Sequence, residues 1–182
     1  MARTIYTIGH STRTLEDFEK LLEDFGVALL VDIRTVPRSR HVPHFNSGKL
    51  ARALARKKIE YRHQKDLGGL RKSSKESINL GWRNLSFRGY ADYMQSEEFR
   101  AGLAALEDLA AKKKTVIMCA EAVPWRCHRS LVADALLVRG VPVDDIIDAR
   151  QRKPHKLTPF AHVEGLRITY PPEQPELDFG SA

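Results

Sequence analysis

The run Ala28-Leu29-Leu30-Val31-Asp32 is apolar at every position until it ends in a carboxylate. A strand with one wet face alternates apolar and polar residues, whereas a short continuous apolar run marks a strand covered on both faces. Such a strand needs helices on either side, and the chain supplies them. Residues 6–9 read as a strand ending in Gly9-His10-Ser11. Residues 14–25 read as a helix, with Thr14 as N-cap, a stripe of Leu15, Phe18, Leu21, Leu22 and Phe25, and Gly26 at its end. Helix over 45–58, strand over 59–62, one or two helices over 87–111 broken near Ser96, strand over 115–119, helix over 127–139 and strand over 143–147 complete the series. The alternation predicts an α/β fold: a single three-layer domain with a mostly parallel sheet flanked by helices, and an active edge at the strand carboxyl ends. The domain is expected over residues 1–172. Residues 173–182 are expected to form a flexible C-terminal tail, since the chain from Pro171 has three prolines in five positions.

Residues 116–129 concentrate the chemistry. Within them fall both cysteines (Cys119 and Cys127), Glu121, Trp125, His128 and the arginines Arg126 and Arg129. An apolar strand leads in and a helix leads out, which is how an open α/β sheet presents reactive groups at its carboxyl edge. The N-terminus of that helix, together with the cations, favours an anion.

The rest of the composition narrows the class. At 42% hydrophobic and 29% charged residues, the chain has the balance of a soluble globular protein. No apolar run approaches the roughly 20 residues that a membrane span requires, and the N-terminus lacks a secretion pattern. Two cysteines eight positions apart around a charged loop point to reduced thiols and a cytoplasmic setting. A net charge of +7 favours a polyanionic partner. Two segments without clear periodicity are basic as well. Residues 32–44 carry Arg34, Arg38 and Arg40, and residues 66–90 carry further cations with Trp82 and Tyr90. Cations mixed with aromatic side chains suit phosphates and base stacking. The partner expected is nucleic acid, DNA in particular.

The motifs Gly9-His10-Ser11, Val31-Asp32-Ile33-Arg34-Thr35-Val36-Pro37-Arg38-Ser39-Arg40, Leu67-Gly68-Gly69, Gly81-Trp82-Arg83, residues 87–94, residues 118–121 and Cys127-His128-Arg129 closely resemble the domain of unknown function 488 family. The resemblance runs from Thr7 to about Pro171. It implies a compact α/β domain whose motifs converge at one sheet edge, and it implies little about the reaction. Val143-Asp144-Asp145-Ile146 departs from the family pattern, because it lacks the histidine often found just before that isoleucine.

Three chemistries compete for the segment from Cys119 to Arg129. A cysteine nucleophile beside a helix N-terminus and arginines would have a lowered pKa. The phosphatase-like loop, however, places an arginine six positions after its cysteine, and here Arg126 falls one place later in a loop without glycine. The rhodanese comparison meets the same objection. A zinc site like that of the deaminases needs paired cysteines from two helix starts. This chain has two cysteines in one loop with His128 nearby, so no metal and no cofactor are expected. The preferred reading assigns catalysis to Asp32 or Glu121, which end neighbouring strands and would activate water, with Cys119 as a further catalytic candidate. Phosphate contacts would come from His10, Ser11, Arg34, Arg38, Arg40, Arg126, Cys127, His128 and Arg129, and base stacking from Trp82, Tyr90 or Trp125. The function expected is a glycosylase-like, DNA base-processing hydrolase. The alternatives are a cysteine-dependent small-anion enzyme and a binding module without catalysis.

Overall fold

The computed structural model describes residues 3–172; the tail expected over 173–182 lies outside the described residues. Five strands and five helices follow the alternation: β1 (Ile5–Gly9), α1 (Leu15–Asp24), β2 (Leu29–Asp32), α2 (Ser47–Arg56), β3 (Glu60–His63), α3 (Leu85–Tyr93), α4 (Glu97–Lys112), β4 (Thr115–Cys119), α5 (Arg129–Val138) and β5 (Val143–Ile146). Three short strands come after them: β6 (Arg152–Pro154), β7 (His162–Glu164) and β8 (Arg167–Thr169). The main sheet has the order β3-β2-β4-β1-β5-β6 and is parallel except for β6, while β7 and β8 form a separate antiparallel pair.

The apolar runs behave as their pattern requires. All four residues of β2 and all five of β1 and β4 are buried. Alternate residues feed two cores. Leu30, Val116, Met118 and Ile8 pack against α1 and α2 through Phe18, Leu22, Leu50 and Leu54. Leu29, Val31 and Ile117 face α4 and α5 through Phe99, Leu103, Leu106, Leu131 and Leu136. The fold is therefore a three-layer α/β sandwich. Thr14 caps α1 by accepting the Asp17 N–H at 3.1 Å, and Gly26 turns the chain beyond that helix at φ +61°. Its stripe is completed by Leu15 and Phe25, which are partly buried against the core.

Register sets the edge. Gly9 pairs with Cys119 across β1 and β4, and Asp32 pairs with Met118 across β2 and β4. Three adjacent parallel strands thus deliver Gly9, Asp32 and Cys119 to one rim. The long segment after β3 reaches the same side. It is organised by Asp92 of α3, which accepts the Ser74 N–H at 2.9 Å, the Ser77 hydroxyl at 2.6 Å and the Asn79 amide at 2.8 Å. No helix among the described residues is long and apolar enough to cross a membrane.

Candidate functional site

Where β1, β2 and β4 end, a cleft of about 310 Å³ is lined by His10, Arg34, Thr35, Val36, Arg38, Ser39, Gly69, Leu70, Cys119, Ala120 and His128. Five of these are site residues expected from the sequence: His10, Arg34, Arg38, Cys119 and His128. Thr35, Ser39 and Gly69 carried no chemical signal, because their part is to shape the wall. The Thr35 hydroxyl donates to the Gly69 carbonyl at 2.7 Å, which ties the loop after β2 to the Gly68-Gly69 turn. A Cβ on Gly69 would stand 2.9 Å from His128 Nδ1, so glycine lets this turn close against the imidazole.

Asp32 lies beneath the cleft instead of projecting into it. It is fully buried. Its Oδ1 accepts the Arg34 backbone N–H at 3.1 Å and Nε–H at 2.9 Å, and its Oδ2 accepts Arg34 Nη2 at 2.6 Å and the Tyr61 hydroxyl at 2.7 Å. Four donors use the acceptor capacity of a carboxylate, leaving none for a water to be activated. Arg34 also donates to the Phe45 carbonyl and to His10 Nε2 at 3.2 Å. His10 consequently carries its proton on Nδ1, which donates to the Ser11 carbonyl at 2.8 Å. Burial, with the Arg34 charge adding to it, lowers the His10 pKa to about 4. His10 is a neutral imidazole at neutral pH, stacked on Phe45 at 4.4 Å.

The expected phosphate cradle divides by exposure. Arg38, Arg40 and Arg126 are exposed. Arg129 is fully buried and works on the backbone: it donates to the carbonyls of Glu121 and Ala122 and to Thr7 Oγ1 at 3.3 Å. Ser11 is half-buried, and Glu121 is exposed outside the cleft lining. Cys127 belongs to the core. Helix α5 starts at Arg129, two residues later than its apolar pattern suggested, with His128 as the N-cap.

The cysteines and His128 form one cluster. Sγ of Cys119, Sγ of Cys127 and a ring nitrogen of His128 lie within 4.8 Å of one another. His128 Nε2 donates to the Ile33 carbonyl at 3.2 Å, which turns the Nδ1 lone pair toward the two sulfurs at 3.9 and 3.8 Å. Cys119 is 8% exposed and Cys127 4%. The hydrogen bond from the Cys119 thiol, aided by the Arg129 charge, lowers the Cys127 pKa to about 7. The same hydrogen bond, together with burial, pushes the Cys119 thiol up.

The three aromatic candidates lie elsewhere. Tyr90 is fully buried; its hydroxyl donates to the Leu67 carbonyl at 2.7 Å and its ring lies 5.0 Å from that of His128, so it supports the site from behind. Trp82 packs against Phe87 and Phe160, and with the exposed Trp125 it lines a second cavity of about 560 Å³ that shares no lining residue with the first.

That second cavity backs onto a polar chain through the core. Thr7 donates to Asp145 at 2.5 Å, His155 bridges Asp145 at 3.3 Å and Asp134 at 2.9 Å, and Tyr170 donates to Asp134 at 2.8 Å. Burial alone would lower the His155 pKa, but the two carboxylates outweigh it and raise it to about 9. The resulting stability is fully present below the unfolded value of about 6.5 and is lost as pH rises through about 9. Over that window the wild-type Tm is expected to fall relative to His155→Gln by on the order of 5–10 °C. Thermal melts of both proteins from about pH 6 to about pH 10 measure this; a constant difference would contradict the charged-bridge account.

The family model described as "Domain of unknown function DUF488" matches residues 14–136. The chain belongs to the DUF488 family. The match takes in β2, β4, the cleft loops and most of α5, while β1 with His10, and β5 onward, fall outside it. No curated protein and no solved structure matches this DUF488 chain.

Proposed function

We propose that this DUF488 protein is a nucleic-acid-acting hydrolase, of the kind that processes DNA bases, with its substrate phosphate seated in the cleft at the sheet edge. The observation that carries the reading is the gathering of Arg38, His10, Cys119 and His128 around one opening, with Arg34 buried behind it. Arg38, Arg40 and Arg126 are the exposed cations placed to meet a phosphate backbone, and the net charge of +7 agrees with a polyanion. Because neither Asp32 nor Glu121 reaches the cleft, activation of water falls to the corner formed by Cys119 and His128. The Trp82–Trp125 cavity, separate from the cleft, offers aromatic walls on which a neighbouring base of the same strand can stack.

Binding should be salt-dependent. About three phosphate contacts give a log–log slope of roughly −2 to −3 on duplex DNA. Arg38→Ala should weaken all sequences alike and lower the slope by about one. Titrations of labelled duplexes at several salt concentrations test this, and base release from a panel of lesion-containing oligonucleotides tests the reaction. Absence of salt-dependent binding at low ionic strength would remove nucleic acid as the substrate.

A further inference from the structure

We infer that Cys119, Cys127 and His128 form a zinc site with three protein ligands and a fourth position opening into the cleft. Both cysteine sulfurs converge on one imidazole nitrogen, Nδ1 of His128, at 3.9 and 3.8 Å. The second nitrogen is already committed to the Ile33 carbonyl at 3.2 Å. With all three ligand atoms within 4.8 Å of one another, a single cation between them would be bound by both sulfurs and Nδ1.

A tetrahedral zinc ion with bonds of about 2.3 Å to sulfur and about 2.0 Å to nitrogen spaces sulfur and nitrogen roughly 3.5 Å apart. The observed separations close to that value by shifts of a few tenths of an ångström. The Ile33 carbonyl on Nε2–H is also the outer contact that metal-bound histidines characteristically make, since it fixes the tautomer and the ring plane. Tyr90 packs its ring against His128 from behind, and the Gly69 turn closes against Nδ1.

The donor set and its surroundings select the ion. Two thiolates and an imidazole suit zinc rather than magnesium or calcium. Two thiolates with a dication form a neutral unit, which two buried cysteines can accommodate. Of the three ligands, Cys119 and His128 line the cleft and Cys127 belongs to the core, so the protein closes the buried side and leaves the cleft side open. An open fourth position is the mark of catalytic rather than structural zinc. Its role in the cleft, polarising a water beside the phosphate held by Arg38, rests on the hydrolase reading; the metal site itself does not.

The test uses the full chain, purified under reducing conditions and stripped with chelator. Zinc competition against a chromophoric chelator is expected to give one ion per chain, and cobalt should produce the intense visible bands of a tetrahedral ion with thiolate charge transfer in the near ultraviolet. Cys119→Ala, Cys127→Ala and His128→Ala should each weaken zinc at least about a hundredfold, since losing even an outer contact costs roughly 10–100-fold. Lys20→Ala, at an exposed position of α1 outside the cleft lining, should bind zinc as the wild type does. If a ligand variant fails to fold, the cobalt spectrum of the wild type still decides. Substoichiometric zinc at saturation, a cobalt spectrum without thiolate charge transfer, or affinity unchanged when all three ligands are replaced would overturn the site. One zinc per chain in a protein that neither binds nor cleaves nucleic acid would uphold the site and overturn the hydrolase.

Discussion

Asp32→Ala is expected to destabilise the protein by about 3–5 kcal/mol, the scale for removing one partner of a buried ion pair. The carboxylate is fully buried and accepts three hydrogen bonds from Arg34, two from its guanidinium and one from its backbone N–H. Without it, a cation whose side chain is 6% exposed keeps only the Phe45 carbonyl and His10 as partners. Tyr61→Phe removes only one donor to the same carboxylate, so its cost should be about 1–2 kcal/mol. Denaturant unfolding of the wild type and both variants gives these numbers. An Asp32→Ala protein as stable as the wild type but without turnover would restore the catalytic role that the buried pair argues against.

Gly9→Ala is expected to be destabilising out of proportion to the single methyl group it adds. A Cβ at Gly9 would stand 1.8 Å from the Glu121 carbonyl oxygen and 2.9 Å from the Ala122 Cα. Both neighbours are backbone, held by hydrogen bonds from buried Arg129, so neither can swing aside. The loop after β4 must move as a whole, and overpacking of this kind costs about 1–3 kcal/mol or more. The displaced loop begins at Cys119, so zinc affinity should fall along with stability. Unfolding free energies and chelator competition on one preparation would show both losses. A Gly9→Ala protein within about 0.5 kcal/mol of the wild type would mean that the loop is far softer than its hydrogen bonds indicate.

The parallel part of the sheet was legible because buried strands carry a dense apolar signature, as in Leu29–Asp32 and Thr115–Cys119. The antiparallel edge strand Arg152–Pro154 was not: its three residues are exposed and include lysine and proline, which is how edge strands avoid pairing with other chains. The same contrast runs through the site. Spacing after apolar runs was enough to bring Cys119, His10 and Arg34 to one rim. It could not tell a cation that faces a ligand from one that faces the backbone, and so Arg38 and Arg129 looked alike, although one is exposed and the other fully buried. Nor could it show that Tyr61, from the neighbouring strand β3, would join Arg34 in filling the acceptor sites of Asp32.

Arg129 has a consequence for how this loop can change over evolutionary time. The path of residues 121–122 is set by carbonyls bound to a core guanidinium, which is itself anchored to Thr7 on β1. The exposed side chains of Glu121, Trp125 and Arg126 contribute nothing to those bonds. The loop is therefore a rigid mount carrying replaceable fittings: its outward residues can be exchanged for others of different charge or shape while the cysteines and His128 keep their places. Those three positions can thus drift in charge and shape without passing through an unfolded intermediate.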